Sequence, residues 1–155
     1  ASWTLAAEQG HAKAQYNLGY LYAKGIGTGT DSGRAVIWYS RAAEQGYAPA
    51  QYNLGQMYFR GEGLTASEAN AAHWFEAASL QGHPWAQENL GTLYVKGRGV
   101  EQDLVRAYAW LTLSATQDNM SAWTKREDLE MDLTFRERLR AGELAARLHS
   151  EIRPQ

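Results

Sequence analysis

The sequence predicts an all-α chain of stacked helix pairs, an α-solenoid, and three observations lead there. First, the chain repeats at a shift of 36 residues. AAEQGHAKAQYNLGYLYAKGIG, Ala6 to Gly27, returns as AAEQGYAPAQYNLGQMYFRGEG, Ala42 to Gly63, and as ASLQGHPWAQENLGTLYVKGRG, Ala78 to Gly99. Second, apolar residues within each copy recur at helical rather than alternating spacing. Third, glycine is abundant and ordered: of 15 glycines, 12 fall in the four columns that begin with Gly10, Gly19, Gly25 and Gly27.

Each copy reads as two helices. The first, about Ala12 to Lys24, sets Ala14, Leu18, Leu21 and Tyr22 on one face. Gly25-x-Gly27 stops it, since glycine takes the left-handed conformation that ends many helices. The second opens at Asp31, Ser67 or Asp103, one column of good N-caps. Ala35, Trp38, Tyr39 and Ala42 repeat along its apolar face. Gln-Gly closes it at Gly46 and Gly82, and Pro84 stands in the first turn of the helix that follows. Trp3 falls in the second-helix column, so the chain is expected to open inside a repeat.

Gly19, Gly55 and Gly91 fall in mid-helix, where glycine costs about 1 kcal/mol against alanine. Keeping it in every copy implies a close helix contact, with the small side chains of Ala35, Ala42 and their equivalents as the expected opposing atoms. A single helix pair cannot bury its apolar stripe, so neighbouring pairs must stack.

The tail leaves the period. Residues 1–117 read as repeats, the first partial, and residues 118–155 as a capping helical hairpin. Ser121 to Leu133 predicts one helix, and Thr134-Phe-Arg-Glu137 is a capping box opening a second. Phe135, Leu139, Leu144, Leu148 and Ile152 are expected along one side of that helix, with an Arg/Glu-rich polar outer face.

Composition removes several classes. Hydrophobic residues at 45% exclude wholesale disorder. Fifteen Lys+Arg against 17 Asp+Glu, net −2, leave no footprint for nucleic acid. No apolar run reaches the ~18 residues of a membrane span. Cysteine is absent, and with it disulfides and thiolate chemistry.

The phased motif A-x-A-Q-Y-N-L-G-x-x-Y-x-x-G-x-G, followed by Asp, Ala, Trp-Tyr and A-A-E-Q-G, resembles the Sel1-like repeat family, relatives of the tetratricopeptide repeat. The resemblance implies a right-handed superhelix of antiparallel helix pairs whose concave surface binds a protein or peptide partner. It also implies an adaptor or scaffold role, with the bacterial periplasm or cell envelope as the favoured location and the cytoplasm as the other. By analogy the first helix of each pair lines the concave face. Its non-core positions are then the expected partner-binding residues. These are Lys13, Tyr16, Asn17, Tyr20 and Lys24 in the first copy, and Tyr52, Asn53, Gln56, Phe59 and Arg60 in the second. The third copy contributes Trp85, Glu88, Asn89, Thr92 and Lys96. Pro49 and Val95 share that phase. Aromatic anchors beside amides suit peptide recognition. The invariant Asn column has a second reading, as a tie between repeats.

No catalytic constellation assembles. His11 and His83 share a turn column two repeats apart, His73 lacks a partner at ligand spacing, and His149 lies in the tail. Glu8 and Glu44 are likewise held one repeat apart. The expectation is a non-enzyme without metal or cofactor. The alternative function implied by the resemblance is binding or hydrolysis of cell-wall-type compounds.

Overall fold

The repeat pattern resolves into nine helices in a computed structural model that describes residues 2–152, with no strand among the described residues. They are α1 (Ser2–Glu8), α2 (Ala12–Lys24), α3 (Ser32–Glu44), α4 (Ala48–Arg60), α5 (Glu68–Ser79), α6 (Pro84–Lys96), α7 (Leu104–Ala115), α8 (Met120–Glu130) and α9 (Phe135–Glu151). Residue 1 of the expected array and residues 153–155 of the expected hairpin lie outside the described residues. The chain falls into two units, Ala1–Trp74 and Phe75–Gln155. In the first, α1 to α4 pack in chain order. In the second, α7 receives α6, α8 and α9.

The punctuation works as the sequence indicated. Gly25, Gly61 and Gly97 close α2, α4 and α6 in the left-handed region, each cap N–H returning to a carbonyl of the last turn. Asp31, Ser67 and Asp103 accept the N–H of Arg34, Asn70 and Arg106 at 2.9, 3.1 and 3.0 Å. The second glycine of the loop has its own reason in one copy. A methyl at Gly63 would run into the Ser32 carbonyl at the start of α3.

The core is built largely of alanine. Ala35, Ala42, Ala50, Ala107 and Ala141 are all fully buried, with Leu54, Leu90 and Leu111 between them. Trp110 and Tyr94 are buried, whereas Trp38, Trp74, Tyr22 and Tyr58 are half-buried and pack against the buried clusters. Arg41 covers the Trp38 ring at 4.7 Å.

Buried among the alanines is an amide relay that apolar patterning alone misses. Gln15, Gln51 and Gln87 are only 4%, 5% and 0% exposed. Their Nε2 groups donate to the carbonyls of Ala7, Ala43 and Ser79 at 3.1, 3.2 and 3.2 Å, pinning each first helix to the end of the helix before it. In return, Gln45 Nε2 donates to Gln15 Oε1 at 2.7 Å, and Gln117 Nε2 to Gln87 Oε1 at 2.9 Å.

Two expectations are corrected. The side chains facing Gly19 and Gly91 are not those of the alanines. A Cβ at Gly19 would lie 2.8 Å from the Tyr39 ring, and one at Gly91 2.8 Å from Leu111 Cγ and 3.2 Å from the Ala107 carbonyl. The glycines make room for the bulky column of the facing helix. In the tail, α8 closes at Glu130 rather than Leu133, and the capping box at Thr134 and Glu137 forms in full. The five apolar residues expected on one side of α9 divide, however. Leu144, Leu148 and Ile152 are half-buried, whereas Phe135 and Leu139 are exposed. At ~100° per residue, Phe135 and Leu144 point in opposite directions. The outer surface of the hairpin is therefore not wholly polar, and Met131 adds to its apolar share.

Two substitutions test this packing. Gln87→Leu keeps the volume but leaves the Gln117 amide without its acceptor and the Ser79 carbonyl with the Gly82 N–H alone, so it is expected to destabilise by about 1–3 kcal/mol in chemical denaturation. An unchanged midpoint would mean that apolar filling suffices there. Gly91→Ala improves helix propensity yet forces Leu111 aside. Overpacking of about 1–3 kcal/mol should outweigh the propensity gain of about 1 kcal/mol, giving a net loss in the same assay.

Candidate partner-binding faces

In the first unit, α2 and α4 bring part of the expected binding set together. Tyr16 is half-buried, its ring 5.7 Å from Tyr39 and 5.4 Å from Tyr47, the latter edge-on. The Asn53 side chain hydrogen-bonds the hydroxyls of both Tyr16 and Tyr39. Burial pushes the Tyr39 hydroxyl up to about 12 and raises Tyr16 as well, with the Asn53 bond opposing in each case. Both phenols are thus neutral at physiological pH. Asn53 links α2, α3 and α4, which is the tie between elements that its invariance allowed. Tyr47 was not singled out in the sequence; an aromatic in the turn column of His11 and His83 was the available signal.

Around this cluster lie the more open positions. Tyr20 is 42% exposed, and the Lys24 ammonium stands 5.9 Å from its ring centre. Lys13 is exposed, and Asn17, Tyr52, Gln56 and Phe59 are half-buried. Arg60 is exposed and pairs with Glu62 at 3.7 Å.

The second unit uses the same helix positions differently. Trp85 is 60% exposed in the first turn of α6, its ring 6.1 Å from that of His83. His83 caps α6, its Nδ1 accepting the Ala86 N–H at 3.2 Å, and burial lowers its pKa, in keeping with a neutral acceptor. Glu88 faces α8. It accepts from Asn119 Nδ2 at 2.8 Å, Lys125 Nζ at 2.7 Å and the Ser121 hydroxyl. Burial raises its pKa, but these bonds and the Lys125 charge more than offset that and hold the carboxyl below its usual range. Lys125 also donates to Thr92 Oγ1 at 3.4 Å. Asn89 is half-buried and Lys96 exposed. Between α6 and α8 runs an open cleft of about 250 Å³, its floor formed by Val95, Leu111 and Leu129 and its rim by Lys96, Lys125 and Asp128. An apolar floor with charges of both signs at the edge suits a peptide side chain.

Among the described residues, no group of three or more His, Cys, Asp or Glu is placed to hold a metal ion, and no helix is long and apolar enough to cross a membrane. His73 is exposed, its ring edge-on to Trp74 at 5.1 Å.

Comparison with known proteins places this architecture. The crystal structure of c5321, a protective antigen present in uropathogenic Escherichia coli strains displaying an SLR fold, superposes with a TM-score of 0.88 at 37% identity, over 96% of this chain and 32% of that one. This chain thus spans about a third of the length of that protein. A Sel1 repeat protein from Oxalobacter formigenes superposes with a TM-score of 0.76 at 36% identity, over 82% of this chain and 96% of that one. No curated protein sequence matches this chain. The Sel1 repeat model matches residues 12–47, 48–83 and 86–119, and these three phased copies with their glycine-closed helices make the chain a member of the Sel1 repeat family.

Proposed function

We propose that this chain is a non-catalytic interaction module that holds a protein or peptide partner on the non-core faces of its first helices, in a bacterial envelope, secretion or signalling setting. Sel1 repeat proteins are commonly protein-interaction scaffolds. The observation that carries the reading for this chain is the pairing of exposed aromatics with a braced frame. Tyr20 and Trp85 reach solvent on the binding-side phase of α2 and α6. Tyr16, Asn53, Glu88 and Thr92 are engaged within the fold and hold those helices in place. In this proposal Lys13, Asn17, Tyr52, Gln56, Phe59, Asn89 and the basic positions Lys24, Arg60 and Lys96 complete the contact surface, and residues 118–155 serve as the cap.

Photo-crosslinking tests it. A photoreactive phenylalanine analogue at position 20 or 85 should capture one defined partner, while the same group at Ile37, exposed on α3, should not. Equal capture at all three positions would move the binding surface elsewhere. With the partner in hand, Tyr20→Ala and Trp85→Ala should each weaken binding by about tenfold or more, without change in melting, as loss of an aromatic anchor does. Asn53→Ala should instead lower the melting temperature.

Acid gives a further test. The folded pKa of Glu88 lies below its unfolded value, so the stability it contributes is complete above that value, about pH 4.3, and is lost as the pH falls through the folded pKa. As the pH falls below that value and through the folded pKa, α8 should therefore loosen, with faster amide exchange over residues 120–130. Glu88→Gln should show that loosening already at neutral pH and lose much of its pH dependence.

A further inference from the structure

Helix α9 carries a second apolar face that its own unit does not cover. Its inner side, at Ala141 and Ala145, is buried. On the other side Phe135 and Leu139 are 67% and 52% exposed, and Gly142 and Ala146, also exposed, continue the line. The steps from 135 to 139, 142 and 146 alternate four and three residues, the spacing of a seam along which one helix packs on another.

Gly142 supplies an independent observation. Glycine inside a helix costs about 1 kcal/mol against alanine. At Gly19 and Gly91, packing within the chain requires it, whereas a methyl at Gly142 would meet nothing within 4 Å. No contact within the described fold accounts for glycine at that position.

We propose that this face is a self-association surface, on which a second copy of the chain docks its own α9 antiparallel about a two-fold axis between Arg140 and Ala141. The seam is large at one end and small at the other, so inverting a second copy sets Phe135 against Ala146 and Leu139 against Gly142. Both pairs share one midpoint, and a single two-fold axis satisfies both layers at once. A parallel pairing would stack Phe135 on Phe135 and leave a hole at Gly142. The charges agree. Arg136 and Glu143 each follow a seam residue on the same edge of the helix, and inversion brings the arginine of each copy alongside the glutamate of the other. An unrelated partner has no reason to match this pattern, whereas the chain matches it by itself. The seam from Phe135 to Ala146 is about 16 Å long at ~1.5 Å per residue. One such helix pair belongs to the small, weak class of interfaces, with dissociation on the order of tens of micromolar.

The test is sedimentation equilibrium on the chain, read alongside its helical spectrum. The wild-type chain should pass from one mass to twice that mass between about 1 µM and 1 mM. Leu139→Asp should abolish this with the spectrum and melting unchanged, since Leu139 is exposed. Glu143→Arg should weaken association by about tenfold, and adding Arg136→Glu should restore it, because the swap regenerates both pairs. A single mass up to about 1 mM means that another occupant uses the face, and overturns the proposal. Association indifferent to Leu139→Asp places the contact elsewhere and overturns it too. Failure of the double swap to restore binding overturns the antiparallel arrangement.

Discussion

The buried glutamine relay is the constraint on which the rest of the fold depends. Alanine lets helices approach closely, but methyl-sized knobs say little about how far one helix may slide along another. An amide with a donor and an acceptor to satisfy says a great deal, because away from water it has few acceptable positions. Gln15 reaches back to the Ala7 carbonyl at the end of α1 and forward to Gln45 at the end of α3. Gln87 does the same between Ser79 and Gln117. Each such residue ties three successive helices, backward through a carbonyl at a helix end and forward through the side-chain amide of a second glutamine. Copying the repeat therefore copies the register along with the apolar surface.

That dependence explains what was legible in the sequence and what was not. Helix limits were legible because their signals are local: Gly25 and Gly97 stop helices by backbone freedom, Asp31 and Asp103 start them by capping, and Thr134 with Glu137 opens α9. Pairing across helices was not, because helical phase gives a face without giving a level along it. Gly19 was thus matched to Ala35 and Ala42, although the atoms over it belong to Tyr39. The glutamines stood out as invariant, yet hydropathy gives an amide no reason to be inside. On α9, five apolar residues invited one stripe, although the nine-residue step from Phe135 to Leu144 is two and a half turns.

The binding faces show the same limit in another form. Tyr16 and Glu88 occupy one column of the repeat, and reading the column as a single role treats them alike. Their surroundings differ. Tyr16 meets Tyr39 and Tyr47 of its own repeat and Asn53 of the next, aromatic and amide neighbours. Glu88 meets Asn119, Ser121 and Lys125, because after α7 the chain no longer supplies a repeat. The exchange of tyrosine for glutamate was visible in the sequence as a departure from the column. It marks the place where a polar helix replaces an apolar neighbour.

The two tail helices consequently attach to their unit by different physics. Helix α8 has a small apolar contact, Ala122 and Leu129, and gains its position from donors converging on one carboxylate. Helix α9 is placed by Ala141 and Ala145, small side chains that let it lie close to α7, with Leu144 and Leu148 beside them. Neutralising Glu88 removes much of what positions α8, because its remaining donors lose the charge they were bonded to. Helix α9 meets α8 through the exposed Arg138–Glu130 pair at 3.5 Å, but its buried side is apolar, and that burial is indifferent to the same change. Protonation of a single side chain thus acts directly on α8 and leaves the apolar seat of α9 unchanged. The wall of the α6–α8 cleft is the part of the unit that responds to it.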